Sequence, residues 1–437
     1  MTNSTKHYIK ELFNIALPII MGNLGFILIG VGDVLIAGRH STDTLAAISI
    51  ATAITNCIQT FGVGLIAGVS PLLSNFRGEN KSAKKYFYPT LRFAFVLAVI
   101  VMLIILAVVP LIGYMHFAPN LVPMIKQYMF ITAFATFGGY LHIAVKEFLQ
   151  AFEIVMFPNL LTVFAVVLNV ILNVIFVFGL GIIPSMGVVG LAIASFTVRY
   201  FMGIALLIYC LSIMRFSNYV DRYFYKQMIK IGLPISTAIF IEFVAFNIVP
   251  IIMGRISGAY AAAQNILCTM TTVSFMVPFA ISNAIAVKVG FANGAKNLFD
   301  MKKYIKVGVF ICVGFMTFSA AVFCSFPEFL VSLFTKDVEL VKICVPTVYV
   351  LSAFQIFDGL QVSLSGVFKG LKSTNVVLLA NFVGYWLIAI PLGAFLAFDL
   401  SQELRGFWIG LFVSSVALCI IMLTTLLKRL RRMSDNI

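Results

Sequence analysis

Twelve apolar runs, each about long enough to cross a bilayer, follow one another along this chain at roughly 12–37, 44–74, 88–114, 123–145, 156–180, 187–213, 228–253, 260–287, 304–326, 340–367, 373–398 and 406–427. A helix of ~20 apolar residues spans the ~30 Å hydrocarbon core. A soluble fold would have to bury a dozen such segments in one core, which surface-to-volume scaling does not permit. The composition agrees, with 61% apolar and only 11% charged residues. The runs are continuously apolar, whereas lipid-facing barrel strands alternate polar and apolar residues. The expectation is an all-α polytopic membrane protein with twelve transmembrane helices.

The net charge of +14 would raise nucleic acid as a partner in a soluble chain, but its distribution has another reading. With both termini and the even-numbered loops on one side, 22 of the 30 Lys and Arg residues collect there. Six lie opposite, at Arg39, Lys126, Arg255, Lys336, Lys342 and Arg405, and Arg92 and Arg199 fall within crossings. The positive-inside rule then makes both termini cytoplasmic, in a plasma membrane of bacterial inner-membrane type. The tail Lys428-Arg429-Leu430-Arg431-Arg432 becomes an anchor on anionic lipid, and no nucleic-acid partner is expected. Lys6 and Lys10 resemble a signal-peptide start, yet the following run is too long and carries Asp33, so it is read as an uncleaved first crossing.

The chain repeats itself. Ile15–Arg39 and Ile231–Arg255 align at an offset of 216, with Pro18 on Pro234 and Gly38-Arg39 on Gly254-Arg255. Ala47 then meets Ala263 and Gly78 meets Gly294; at an offset of 220, Ala133-Phe134, Gly139 and Phe148 meet Ala353-Phe354, Gly359 and Phe368. This predicts residues 1–214 as one six-helix bundle and 231–437 as a second, joined by a basic cytoplasmic linker at 215–230. Six crossings return the chain to its starting side, so the copies are related by a pseudo-two-fold axis along the membrane normal, with a cleft between them.

Few polar groups lie inside the crossings: Asp33, Asn169, Asn173, Glu242, Gln264, Asn265 and Asp358, with His142, Lys146 and Glu147 near the end of the fourth. At ~1.5 Å per residue, Glu242 is ~18 Å from the outer surface and Asp358 ~16 Å from the inner one, so their depths nearly coincide. A charged carboxylate in hydrocarbon costs several kcal/mol; each must face a protein interior or wet cavity, take a proton, or hold a cation. Asp33 and Asn173 lie at similar height in the first half, with Asn169 one turn from Asn173 on the same face. Phe246, one turn after Glu242, would give a lipophilic cation a ring face beside a charge. For the Asn residues, an interhelical hydrogen bond without a ligand is the plainer reading.

No GxxxxGK[ST] loop, GxSxG, HExxH or paired His-Cys spacing occurs, and the seven Cys sit within apolar runs or at their ends as small hydrophobes. An ATPase is excluded and no enzyme cofactor is expected. Transport driven by an ion gradient is the leading class.

Several stretches resemble the multidrug and toxic compound extrusion (MATE) family, and the resemblance runs over nearly the whole chain. GVGDVLIAGR with LAAIS is similar to the family's first crossing, LNVILNVIFVFG with GVVGLAIAS to the fifth and sixth, and AQNI with FMVPFAISNAIAVKVG to the eighth. IEFVAF and FQIFDGLQVSLSGVFKGLKST are similar to its NorM-type branch. The resemblance implies Glu242 and Asp358 as coupling-cation carboxylates, metal ligands if the ion is Na+, with Asp33 on the family's first-crossing acidic position. Two departures stand out: Asn173 where the family often has Asp, and Phe354 where relatives often place a cation-holding Tyr. The missing phenol favours H+ over Na+. The expected activity is antiport by alternating access, exporting organic cations as a monomer in membrane lipid, with Phe246, Gln264, Asn169 and Asn173 on the substrate side. The rival is a flippase for lipid-linked saccharide or phospholipid, which would need a cleft rich in Arg or Lys to hold its phosphates.

Overall fold

A computed structural model of the chain describes residues 4–181, 183–254 and 257–435. Arg255, the repeat partner of Arg39, lies outside the described residues. Twelve helices are long and apolar enough to cross a membrane. They are α1 (Thr5–His40), α2 (Thr42–Gly78), α3 (Ala83–Tyr114), α4 (Leu121–Ala151), α5 (Met156–Phe178), α6 (Gly187–Ile213), α7 (Arg222–Met253), α8 (Gly258–Gly294), α9 (Leu298–Ser325), α10 (Val338–Gly370), α11 (Asn375–Asp399) and α12 (Glu403–Asp435). Among the described residues the only extended pairing is a single bridge between Leu180 and Ile183. The protein is an integral membrane protein, because only helices satisfy every backbone group of such apolar segments in lipid.

Local chemistry sets the helix ends. Ser41 accepts from the Thr44 amide at the start of α2, and Asp337 from the Glu339 amide at the start of α10. Both satisfy donors that the first helical turn leaves open. Gly179 ends α5 at φ +80°, where a side chain would be strained.

The contacts gather into two compact units. A first unit holds Leu17–Phe76 and Lys81–Ser236; a second holds the chain up to Ala16, Arg77–Asn80 and the chain from Thr237 onward. These differ from the chain-order division at 1–214, 215–230 and 231–437 in the ownership of helix starts. The start of α1 docks within the second unit: the Tyr8 hydroxyl donates to Asp300 at 2.6 Å, and Glu11 takes Lys288 at 3.4 Å and the Tyr304 hydroxyl. The basic segment and the start of α7 dock within the first, with Phe216 stacked on Phe87 at 4.0 Å and Phe224 on Tyr86 at 4.9 Å.

Each unit is built around the fourth helix of its repeat. In the first, α4 packs on α2, α3 and α6; in the second, α10 packs on α8, α9 and α12. Small residues permit the closest crossings. A Cβ on Gly138 of α4 would sit 2.7 Å from the Tyr200 amide of α6, and one on Gly366 of α10 would sit 2.3 Å from the Ser282 carbonyl of α8.

Candidate functional site

The second unit assembles the carboxylates that the sequence placed at matching depth. Glu242 projects from α7 and Asp358 from α10, and their charges act on each other. Asp358 is 4% exposed, and it draws its electrostatic environment from burial and Glu242 without a hydrogen-bond donor among the described residues. Glu242 accepts from Asn381 Nδ2 at 3.3 Å and is also hydrogen-bonded by the Tyr385 phenol. Lys369, near the end of α10, adds a positive field at Glu242.

The remaining wall comes from α11, which sequence reasoning overlooked. Its turns widen to π-helical geometry over Phe382–Ala389, the register change that often accompanies a functional side chain. Tyr385 sits in that stretch, 1% exposed, its phenol beside both carboxylates. Gln361 Nε2 donates to the Tyr385 hydroxyl at 3.2 Å and to Asn381 Oδ1 at 3.5 Å, binding α10 to α11. So the oxygen absent at Phe354 returns from another helix. The clue available in the sequence was Asn381 and Tyr385, four residues apart on one face and shortly before Pro391.

Phe246 meets Tyr385 and Phe354 with ring centroids 5.9 and 6.3 Å apart, so it belongs to the aromatic wall of this site. Gln264 does not line it. It is fully buried and accepts the Trp408 indole N–H at 2.9 Å, and Trp408 in turn packs edge-on against Phe354 at 5.7 Å. Its contribution is to fix the rings, because an amide with no exposed surface has none to offer a guest.

The first unit carries a separate polar cluster. Asp33 of α1 accepts Asn173 Nδ2 at 2.6 Å and the Ser195 hydroxyl at 3.3 Å, and Asn173 also donates to Asn169 Oδ1 at 3.0 Å. Asn173 therefore serves as an interhelical bridge holding the carboxylate. Asp33 and Asn169 line a cavity of about 550 Å³, together with Asn56, Tyr128, Ser195 and Arg199. Tyr128, Ser195 and Arg199 were not singled out as site residues from sequence, because they share no local motif.

Among the described residues no group of three or more His, Cys, Asp or Glu forms a metal centre. The second-unit site is a carboxylate pair with phenol and amide oxygens. Such a donor set is chemically able to take a proton or a small hard cation.

A twelve-helix membrane protein with paired carboxylates buried on α7 and α10 has the make-up of a transporter rather than an enzyme. The MatE family profile matches residues 18–175 and 234–395, both halves of the repeat. The chain belongs to the MatE family. It is 26% identical over 455 aligned positions to the probable multidrug resistance protein NorM of Bacillus subtilis, covering 100% of this chain and 99% of that one. Against the probable multidrug resistance protein NorM of Xylella fastidiosa it is 29% identical, covering 95% and 90%. A crystal structure of a MATE in complex with MaL6 superimposes with a TM-score of 0.91 at 17% identity, covering all of both chains. The eukaryotic MATE transporter AtDTX14 gives 0.88 at 19% identity, covering 99% of this chain and 100% of its own.

Proposed function

We propose that this protein exports cationic or lipophilic organic compounds in antiport with H+ or Na+, by alternating access, as a monomer in a bacterial inner membrane with both termini cytoplasmic. The observation that carries the reading is Asp358, buried beside Glu242 with no hydrogen-bond donor to it among the described residues. Two carboxylates at that depth require a proton or a cation, since leaving both bare costs several kcal/mol. An incoming ion and an organic cation compete for the same charge, and that competition is what couples their movements. The names of the curated relatives, probable multidrug resistance proteins, support the substrate class.

For the ion, the argument from Phe354 rested on a lost oxygen, and Tyr385 offers one in its place. Hard cations take oxygen ligands, and carboxylates, a phenol and the amide oxygens of Asn381 and Gln361 make a set that serves Na+ as well as H+. Tyr385→Phe separates the two. In proteoliposomes loaded with a cationic dye, a sodium-coupled protein responds to an imposed sodium gradient and loses that response in Tyr385→Phe. A proton-coupled protein responds to a pH gradient, and the variant keeps most of it. Export that ignores both gradients in the wild type overturns the antiport reading.

A further inference from the structure

Arg92 is a charge set within a crossing that the transport reading does not use. It lies on α3 near the start of the regular stretch Phe87–Val108 and shares a helix face with Phe95 and Val96, which are 61% and 56% exposed. Exposed apolar residues on a membrane-spanning helix face lipid, so this arginine stands on the lipid side of the first unit. Its guanidinium snorkels to the linker: Nη2 donates to Asn218 Oδ1 at 2.6 Å and Nη1 to the Tyr219 carbonyl at 3.3 Å. Those two bonds leave the rest of its five N–H donors open, and no carboxylate pairs with it among the described residues. Lys85 brings a second cation to the same linker residue, its Nζ 4.3 Å from the centre of the Tyr219 ring. Asp221 is engaged elsewhere, by the Tyr86 hydroxyl at 3.3 Å and the Tyr223 amide at 2.8 Å. The fold itself does not need the charge. At the offset of 218 that sets Lys84-Lys85-Tyr86 on Lys302-Lys303-Tyr304, Arg92 meets Phe310, which is 78% exposed on α9.

Beyond Arg92 the same face is hollow. A groove of about 670 Å³ runs between α3, α4 and α6, walled by Leu91, Phe95 and Val96, by Phe137 and Leu141, and by Tyr200, whose hydroxyl is spent on the Phe134 carbonyl at 3.2 Å. Phe137 and Tyr200 lie near the middles of Leu121–Ala151 and Gly187–Ile213, so the groove leads from the linker end of α3 towards the middle of the membrane. An acyl chain gains little by leaving bulk lipid for another apolar surface, so a preference for one lipid has to come from its head. Arg92 supplies that preference, because a guanidinium fork matches phosphate oxygens. We propose that this groove is a binding site for an anionic diacyl glycerophospholipid, one acyl chain lying along it and the phosphate held by Arg92. Lys85 favours a head without a compensating ammonium. The occupant is a resident lipid, separate from the exported compounds.

Native mass spectrometry of the purified full-length protein in detergent tests this, with palmitoyl-oleoyl phosphatidylglycerol, phosphatidylcholine of the same chains, and inorganic phosphate as probes. The wild type should take its first phosphatidylglycerol at least about fivefold more tightly than phosphatidylcholine, the effect of one cation at a lipid surface. R92Q should bring the two lipids within about twofold of each other, and R92K, which keeps charge without the fork, should fall between. N218A removes a linker contact and keeps the guanidinium, so it should bind phosphatidylglycerol as the wild type does. R92K and N218A also answer the question should R92Q fail to accumulate. A loss in N218A equal to that in R92Q would mean that Arg92 only fastens the linker. An equal loss in R431Q, an exposed position of the tail, would reduce the effect to diffuse charge, and displacement of the lipid by inorganic phosphate would leave the groove without a part. Any of these three results overturns the proposal.

Discussion

Glu242→Gln is expected to leave the protein inserted and folded while concentrative dye export in proteoliposomes falls to the level of empty vesicles. The glutamine matches the glutamate in shape and can still accept from Asn381, so the packing of α7 on α11 at Ala238, Ile241 and Asn381 is preserved. What disappears is the charge for which ion and substrate compete. A coupling free energy between two ligands exists only if each alters the other's binding, and couplings of this kind are worth about 5- to 150-fold in affinity. Removing the shared anion should bring that factor close to one. Asp358→Asn should do the same, since among the described residues no donor to Asp358 would have to be displaced by a neutral amide. Insertion is checked by gel filtration of the solubilised variants, and export by dye efflux under each imposed gradient. Wild-type efflux in both variants would remove the carboxylate pair from the mechanism.

The fold was legible because its determinant is one-dimensional. A run of apolar residues reports its own crossing, and the expected crossing at 44–74 became Thr42–Gly78 and that at 373–398 became Asn375–Asp399 with only soft edges moved. The depth of Glu242 and Asp358 was also a linear quantity, countable from the nearest polar break. That counting identified the pair now found together in the second unit.

What the sequence withheld was rotation and exchange. Tyr385 reaches the carboxylates from a π-helical stretch, where i→i+5 bonding widens the turn beyond 3.6 residues and face-counting by i, i+4 loses register. Gln264 shows the limit of depth alone, which does not say that Trp408, 144 positions later, supplies its partner. The docking of Tyr8 and Glu11 against Asp300, Tyr304 and Lys288 spans nearly 300 positions and has no local signature. Arg199 was visible as a charge within a crossing, and only the structure shows the cavity that it lines.

The packing that positions Asp358 yields the largest expected loss of stability. Gly366→Leu should destabilise the protein by more than about 3 kcal/mol, because overpacking against backbone has no rotamer escape. A Cβ there would lie 2.3 Å from the Ser282 carbonyl oxygen and 2.7 Å from its hydroxyl, and that hydroxyl is already committed to the Val362 carbonyl at 2.7 Å. Relief requires α8 and α10 to part, and α10 is the helix on which the second unit is assembled. Asp358, two turns earlier on the same helix, would move with it, so any protein that survives should also export poorly. Gly314→Leu on α9 is the matched control: nothing lies within 4 Å of its Cβ position, and leucine there should shift stability by no more than about 0.5 kcal/mol. Thermal midpoints of the two purified variants, followed by gel filtration, decide the matter. Equal midpoints would mean that α8 and α10 are not held at the Gly366 crossing, and that Asp358 is fixed in place by the packing of α10 on α9 and α12.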